Sequence, residues 1–119
     1  MNTQELKDGL RDYYGSEQFF RHMLNRNMVY SEGAQFFMEN AGGGTYWFAD
    51  IVATELMKIH RKEEFIHIHL VAADGKATIL ADDGNGNPLY KRKIDYTDCP
   101  DGDWEFYLEN NTFYLPSER

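Results

Sequence analysis

Apolar positions recur at helical spacing through the middle of the chain. Phe48, Val52, Leu56 and Ile59 fall at i, i+4, i+8 and i+11, one stripe of an α-helix. Asp50, Thr54 and Lys58 fall on the other side, where water is expected to meet them. The pattern predicts an amphipathic helix of about four turns over 45–61, with Thr45 placed to cap its first amides. Three glycines, Gly42 to Gly44, precede it, and the charged cluster Lys62-Glu63-Glu64 follows.

The same spacing predicts shorter helices upstream. Leu6, Leu10, Tyr13 and Tyr14 make one apolar face behind a cap at Asn2 or Thr3, and Gly15 suits a left-handed ending. Phe19, Phe20, Met23 and Leu24 follow Ser16 and read as a short helical piece, broken at Asn25-Arg26-Asn27. Ser31 can cap a further helix whose stripe is Ala34, Phe37, Met38 and Ala41. Glu32 stands at its positive end.

From Glu64 the period changes to two. Ile66, Ile68 and Leu70 alternate with His67 and His69; Asp74-Gly75 signals a hairpin; Ala77, Ile79 and Ala81 return. The run from Asp82 to Pro88 is loop by composition. Tyr90, Arg92, Ile94 and Tyr96 share one face of a third strand. Trp104, Phe106 and Leu108 make a fourth, Asn110-Asn111 a tight turn, and 112–115 a short fifth. Helices followed by hairpin-linked strands read as α+β: N-terminal helices on one face of a four- to five-stranded antiparallel meander. A single domain is expected over residues 1–119, helical to about 62 and sheet from about 63.

Charge changes the picture more than composition does. After Lys93 the only base is Arg119, against Asp95, Asp98, Asp101, Asp103, Glu105, Glu109 and Glu118, which places −6 of the formal net charge of −8 there. Such a surface repels phosphate, so direct nucleic-acid binding is not expected, and it attracts a basic partner. Cys99 is the sole cysteine, which excludes an internal disulfide and suggests a reducing, cytoplasmic setting. No secretory leader and no apolar run of about 20 residues is visible, so no membrane association is expected.

Several strings stand together: Tyr14-Gly15-Ser16-Glu17 with Arg21-His22, Tyr30-Ser31-Glu32-Gly33-Ala34, Ala41-Gly42 before Tyr46-Trp47, Ile94-Asp95-Tyr96-Thr97-Asp98, and Leu115-Pro116-Ser117-Glu118. Their order and spacing resemble an uncharacterised family of small proteins from bacterial, plasmid and phage genomes, known only as a domain of unknown function. The resemblance supplies no catalytic residues. It implies a mobile-element setting, where small acidic proteins often bind host proteins, anti-CRISPR inhibitors among them.

Candidate chemistry is sparse. His67 and His69 at i and i+2 point to one strand face and can offer two nitrogens to a metal ion, but a third ligand, His22, His60 or an acid, would have to lie close in space, and spacing does not show that. They read here as solvent-facing histidines, and no metal or other cofactor is expected. His22 with Asp50 could orient a general base, or simply satisfy its own burial. Cys99 among acids reads as an unreactive turn thiol, and the glycine run before Tyr46 as a turn, since no lysine follows it as a phosphate loop requires. Trp47, on the polar side of the main helix, is a candidate interface anchor.

These features point to a small non-enzymatic acidic protein that occludes a basic surface of a host protein. Trp47, Asp95, Asp98, Asp101, Asp103, Glu105 and Glu109 are its candidate contacts. The alternative is a small enzyme or a ligand- or metal-binding domain built on His22, His67 or His69. A homo-oligomer joined through exposed aromatics is a third expectation.

Overall fold

A computed structural model describes residues 1–119, and its core is one continuous cluster between helices and a sheet. Helix α1 (Thr3–Leu10) opens on a capping box in which Asn2 and Glu5 each satisfy the other's backbone amide. Strands β1 (Phe19–Arg21) and β2 (Val29–Ser31) follow as an antiparallel pair. The Ser31 hydroxyl accepts from Ala34 N and so starts α2 (Glu32–Asn40). A third helical run begins as α3 (Tyr46–Ile51), passes through a π-turn (Val52–Leu56) and ends as α4 (Met57–His60). The remainder is β3 (Phe65–Ala73), β4 (Lys76–Asp82), β5 (Pro88–Ile94), β6 (Gly102–Glu109), β7 (Thr112–Tyr114) and a 3-10 turn (Pro116–Glu118).

The seven strands form one mixed sheet in the order β1-β2-β7-β6-β3-β4-β5. This overturns the expected four- to five-stranded antiparallel meander. The N-terminal half contributes two strands of its own, and β2 runs parallel to β7. The predicted helical piece at 16–24 is strand β1 instead, because Phe19 and Arg21 pair with Ser31 and Val29. Helix α1 stops at Leu10, short of Tyr13 and Tyr14, and Gly15 is not left-handed. The long helix is not one continuous α-helix either: Met57 N reaches back five residues to Val52 O. Thr45 stands at its start but makes no side-chain cap, and its buried hydroxyl oxygen has no hydrogen-bond partner.

Register decides which side chains meet the helices. Ile66, Ile68 and Leu70 of β3 stand opposite Leu108, Phe106 and Trp104 of β6, all buried. Phe37 of α2 and Phe48 of α3 pack edge-on against Phe106, and Phe48 against Phe113. Each such side chain contributes about 1.5–3 kcal/mol of transfer free energy. The β3–β4 and β6–β7 hairpins turn on left-handed residues, Asp74-Gly75 and Asn110-Asn111. The alternate residues of every strand face away from the helices. That second sheet face is where the polar chemistry collects. No helix of the chain is long and apolar enough to cross a membrane.

Candidate metal centre

A two-residue hairpin at Asp74-Gly75 pairs Ala73 with Lys76, and the same register continues down to His67 opposite Asp82 and His69 opposite Leu80. On the other side of β3, His67 stands opposite Tyr107 and His69 opposite Glu105. The two imidazoles therefore share the open face with Asp82 from β4 and with Asp103, Glu105 and Tyr107 from β6. The histidine rings lie 4.2 Å apart between centroids, and each side chain is 21% exposed.

Each histidine uses one nitrogen to face an outer acid. His67 Nε2 lies 2.9 Å from Glu105 Oε1, and His69 Nδ1 lies 2.9 Å from Asp103 Oδ1. A carboxylate only accepts, so both of these nitrogens carry hydrogen and donate. That fixes the tautomers: in the neutral rings His67 Nδ1 and His69 Nε2 hold lone pairs. Both point at Asp82, at 3.9 Å from Oδ1 and 4.0 Å from Oδ2. Asp82 takes one donor, the amide of Gly84 at 2.7 Å. In the neutral rings three Lewis-basic groups thus converge, and their ligand atoms all lie within 4.8 Å of one another.

Bonds of about 2.0–2.2 Å to a tetrahedral ion leave ligand atoms roughly 3.3 Å apart. Small side-chain rotations close the gap. His67, His69 and Asp82 would hold the ion, while Glu105 and Asp103 orient the rings and raise their basicity. Tyr107 packs edge-on against His67 at 5.4 Å and restrains its ring. Two imidazoles and one carboxylate suit a borderline divalent ion such as Zn²⁺ or Fe²⁺, with at least one coordination position left to solvent.

The other sequence candidates do not join this group. His22 is buried and does meet Asp50, at 2.8 Å through Nε2. However, its Nδ1 accepts from the amides of Leu24 and Asn25, so Nε2 is the donor and no lone pair remains for general-base work. His60 uses Nδ1 on the Glu63 carbonyl and accepts from Asn111 N with Nε2. Cys99 is buried, and burial, then Asp98 and Asp101, push its thiol up to about 12. Trp47 is half-buried against the core rather than free in solvent.

The acidic positions divide by task. Asp103 and Glu105 serve the imidazoles. Glu109 accepts from Tyr114 Oη at 3.0 Å and lies 3.6 Å from Arg119. Asp98 accepts from Gly43 N at 2.7 Å, and a side chain at Gly42 would collide with it, so the glycine run serves as a turn. Asp101 accepts from Asp74 N, and Asp95 is exposed. Sequence reading missed Asp82, taking it as the start of a loop. The hairpin offered the signal: a turn at 74–75 pairs positions on either side in order, which sets 82 against 67.

It also missed Glu118. This carboxylate accepts from Ser31 Oγ (2.6 Å), Leu115 N (2.9 Å), Gly33 N (3.1 Å) and Ser16 Oγ. Ser16 Oγ in turn accepts from Glu32 N, and Glu32 accepts from the amides of Glu17 and Gln18. Three of the strings behind the family resemblance therefore close on one side chain at the start of α2.

A family model described as a family of unknown function, DUF6876, matches residues 4–119. No curated protein and no solved structure matches the chain.

Proposed function

We propose a function from geometry alone, because the chain belongs to DUF6876 and the function of that family is unknown: the protein binds one divalent transition-metal ion on its open sheet face through His67, His69 and Asp82. The observation that carries this reading is the convergence of two imidazole lone pairs on the two oxygens of one carboxylate, with each opposite ring nitrogen tied to a separate acid. Protons compete with the ion for the same nitrogens, so affinity falls in acid. The test is titration of chelator-treated protein with Zn²⁺. One ion per chain is expected, lost in Asp82→Asn and in the His67→Ala/His69→Ala pair. A protein that takes up no ion, or a D82N variant that binds as well as the parent, would sink the reading.

A second reading is docking of a basic host protein in a mobile-element setting. Tyr96 favours it, being 91% exposed between Asp95 and Asp98 at the end of the sheet where Asp101 is pinned by the β3–β4 turn. Binding there weakens as salt rises, since exposed charges are screened over ~10 Å at 0.1 M. Complexes indifferent to salt would count against it.

A further inference from the structure

A cavity of about 530 Å³ lies at the end of the third helical run, between α4, the 25–27 loop and the Asn110-Asn111 turn. In a chain with 20 acids and 12 bases, its wall contains no Asp or Glu. It carries Lys58 and Arg61, with the carboxamides of Asn25, Asn27 and Asn111. The ion pairs made by arginine are Arg11–Asp8, Arg92–Glu55 and Arg119–Glu109; Lys58 and Arg61 are in none. Glu64 and Glu109 line the adjoining cavity, which shares His60 and Asn111 with this one.

The wall is built, not merely charged. The π-turn puts Ala53 O within reach of Asn25 Nδ2 at 2.9 Å, which ties the loop to the helix. Asn25 Oδ1 then accepts from Asn27 N. His60, with both nitrogens bonded, acts as a strut that holds the Asn111 amide. These bonds leave the Lys58 ammonium, the Arg61 guanidinium and the carboxamide groups of Asn27 and Asn111 as donors with no protein acceptor. Cations at a helix C-terminus also complement its dipole, but that requires only charge near the end. It does not account for the carboxamides or for a wall free of acids.

We propose that this cavity binds a small phosphate-bearing molecule. A phosphate group carries about −1.5 to −2 charge and three strong acceptor oxygens. It balances one lysine and one arginine, and the arginine fork matches it in two-point fashion. The volume is within the roughly 300–1,000 Å³ typical of small-molecule sites. A nucleic-acid strand does not fit the reading. It would have to lie along a protein of net charge −8 and pass Glu64 and Glu109.

The experiment is an NMR titration of the full chain with pyrophosphate at low ionic strength. Saturable shifts are expected at Asn27, Lys58, Arg61 and Asn111. The exposed pair Lys58→Gln/Arg61→Gln should keep the fold and weaken binding roughly tenfold or more, given the strength of charge-assisted bonds. Lys91→Gln/Lys93→Gln, on the far edge strand, should leave it unchanged. No saturable response, or equal weakening by the two double variants, overturns the proposal, because the effect would then belong to net charge and not to the cavity.

Discussion

Two carboxylates, Glu118 and Asp82, show opposite uses of the same group. Glu118 receives four donors, from Ser16, Ser31, Gly33 and Leu115, and joins the C-terminal turn to the start of α2. Asp82 receives one, from Gly84, and its outward side faces a ring nitrogen of His67 at 3.9 Å and one of His69 at 4.0 Å, both beyond hydrogen-bond reach. The first arrangement is complete and has nothing left to bind. The second has acceptor capacity to spare, which the proposed metal site would use. Partner saturation, more than charge or exposure, separates an acid that holds the fold from one that serves a ligand.

The largest test of that contrast is Glu118→Ala, which orphans part-buried donors from three segments. It should cost about 3 kcal/mol, seen as a lower midpoint in urea unfolding. On the other side, Zn²⁺ at one hundred times its Kd should raise stability by about 2.7 kcal/mol, and the His67→Ala/His69→Ala pair should show no such gain. Gly33→Ala, whose added methyl would meet Leu115 Cδ1 and the Glu118 carboxylate, should lose about 2 kcal/mol by overpacking.

Between the two sites, Tyr114 donates to Glu109, and burial with that bond pushes its hydroxyl up from 10.0 to about 12. The unfolded chain ionises first, so stability should fall as pH rises from about 10 through 12; unfolding curves across that window will show it. Smallest is Asp82→Asn without metal, expected within about 0.5 kcal/mol of the parent. A large loss there would make Asp82 a structural acid and erase the distinction.

Much of the later sheet was legible because its signals are local. Alternation over 66–70 and over 104–108, with left-handed turns at 74–75 and 110–111, suffices to set strand faces. Ser31 was readable as a cap for the same reason. The failures share a cause as well. Strand Phe19–Arg21 is too short to display a period of two, and Phe19, Phe20, Met23 and Leu24 mimic helical spacing; Met28-Val29-Tyr30 reads as a short extended bridge, and β2 forms there, but nothing local marks its place in the sheet. The parallel contact of Val29 with Thr112 joins distant parts of the chain and has no local mark. The stripe at Phe48, Val52 and Leu56 is buried as read, but a π-turn keeps hydrophobic spacing while changing hydrogen bonding. At the candidate site, His67 and His69 were visible; Asp82 needed the register, and the four donors to Glu118 needed the whole fold.

The outermost strand on one side, β5, carries Lys91, Arg92 and Lys93 in succession. A sister molecule trying to extend the sheet there would bring the same two lysines against Lys91 and Lys93, Arg92 being paired with Glu55. The opposite rim, β1, is only three residues long. Like-charge repulsion at one border and shortness at the other both disfavour growth into ribbons.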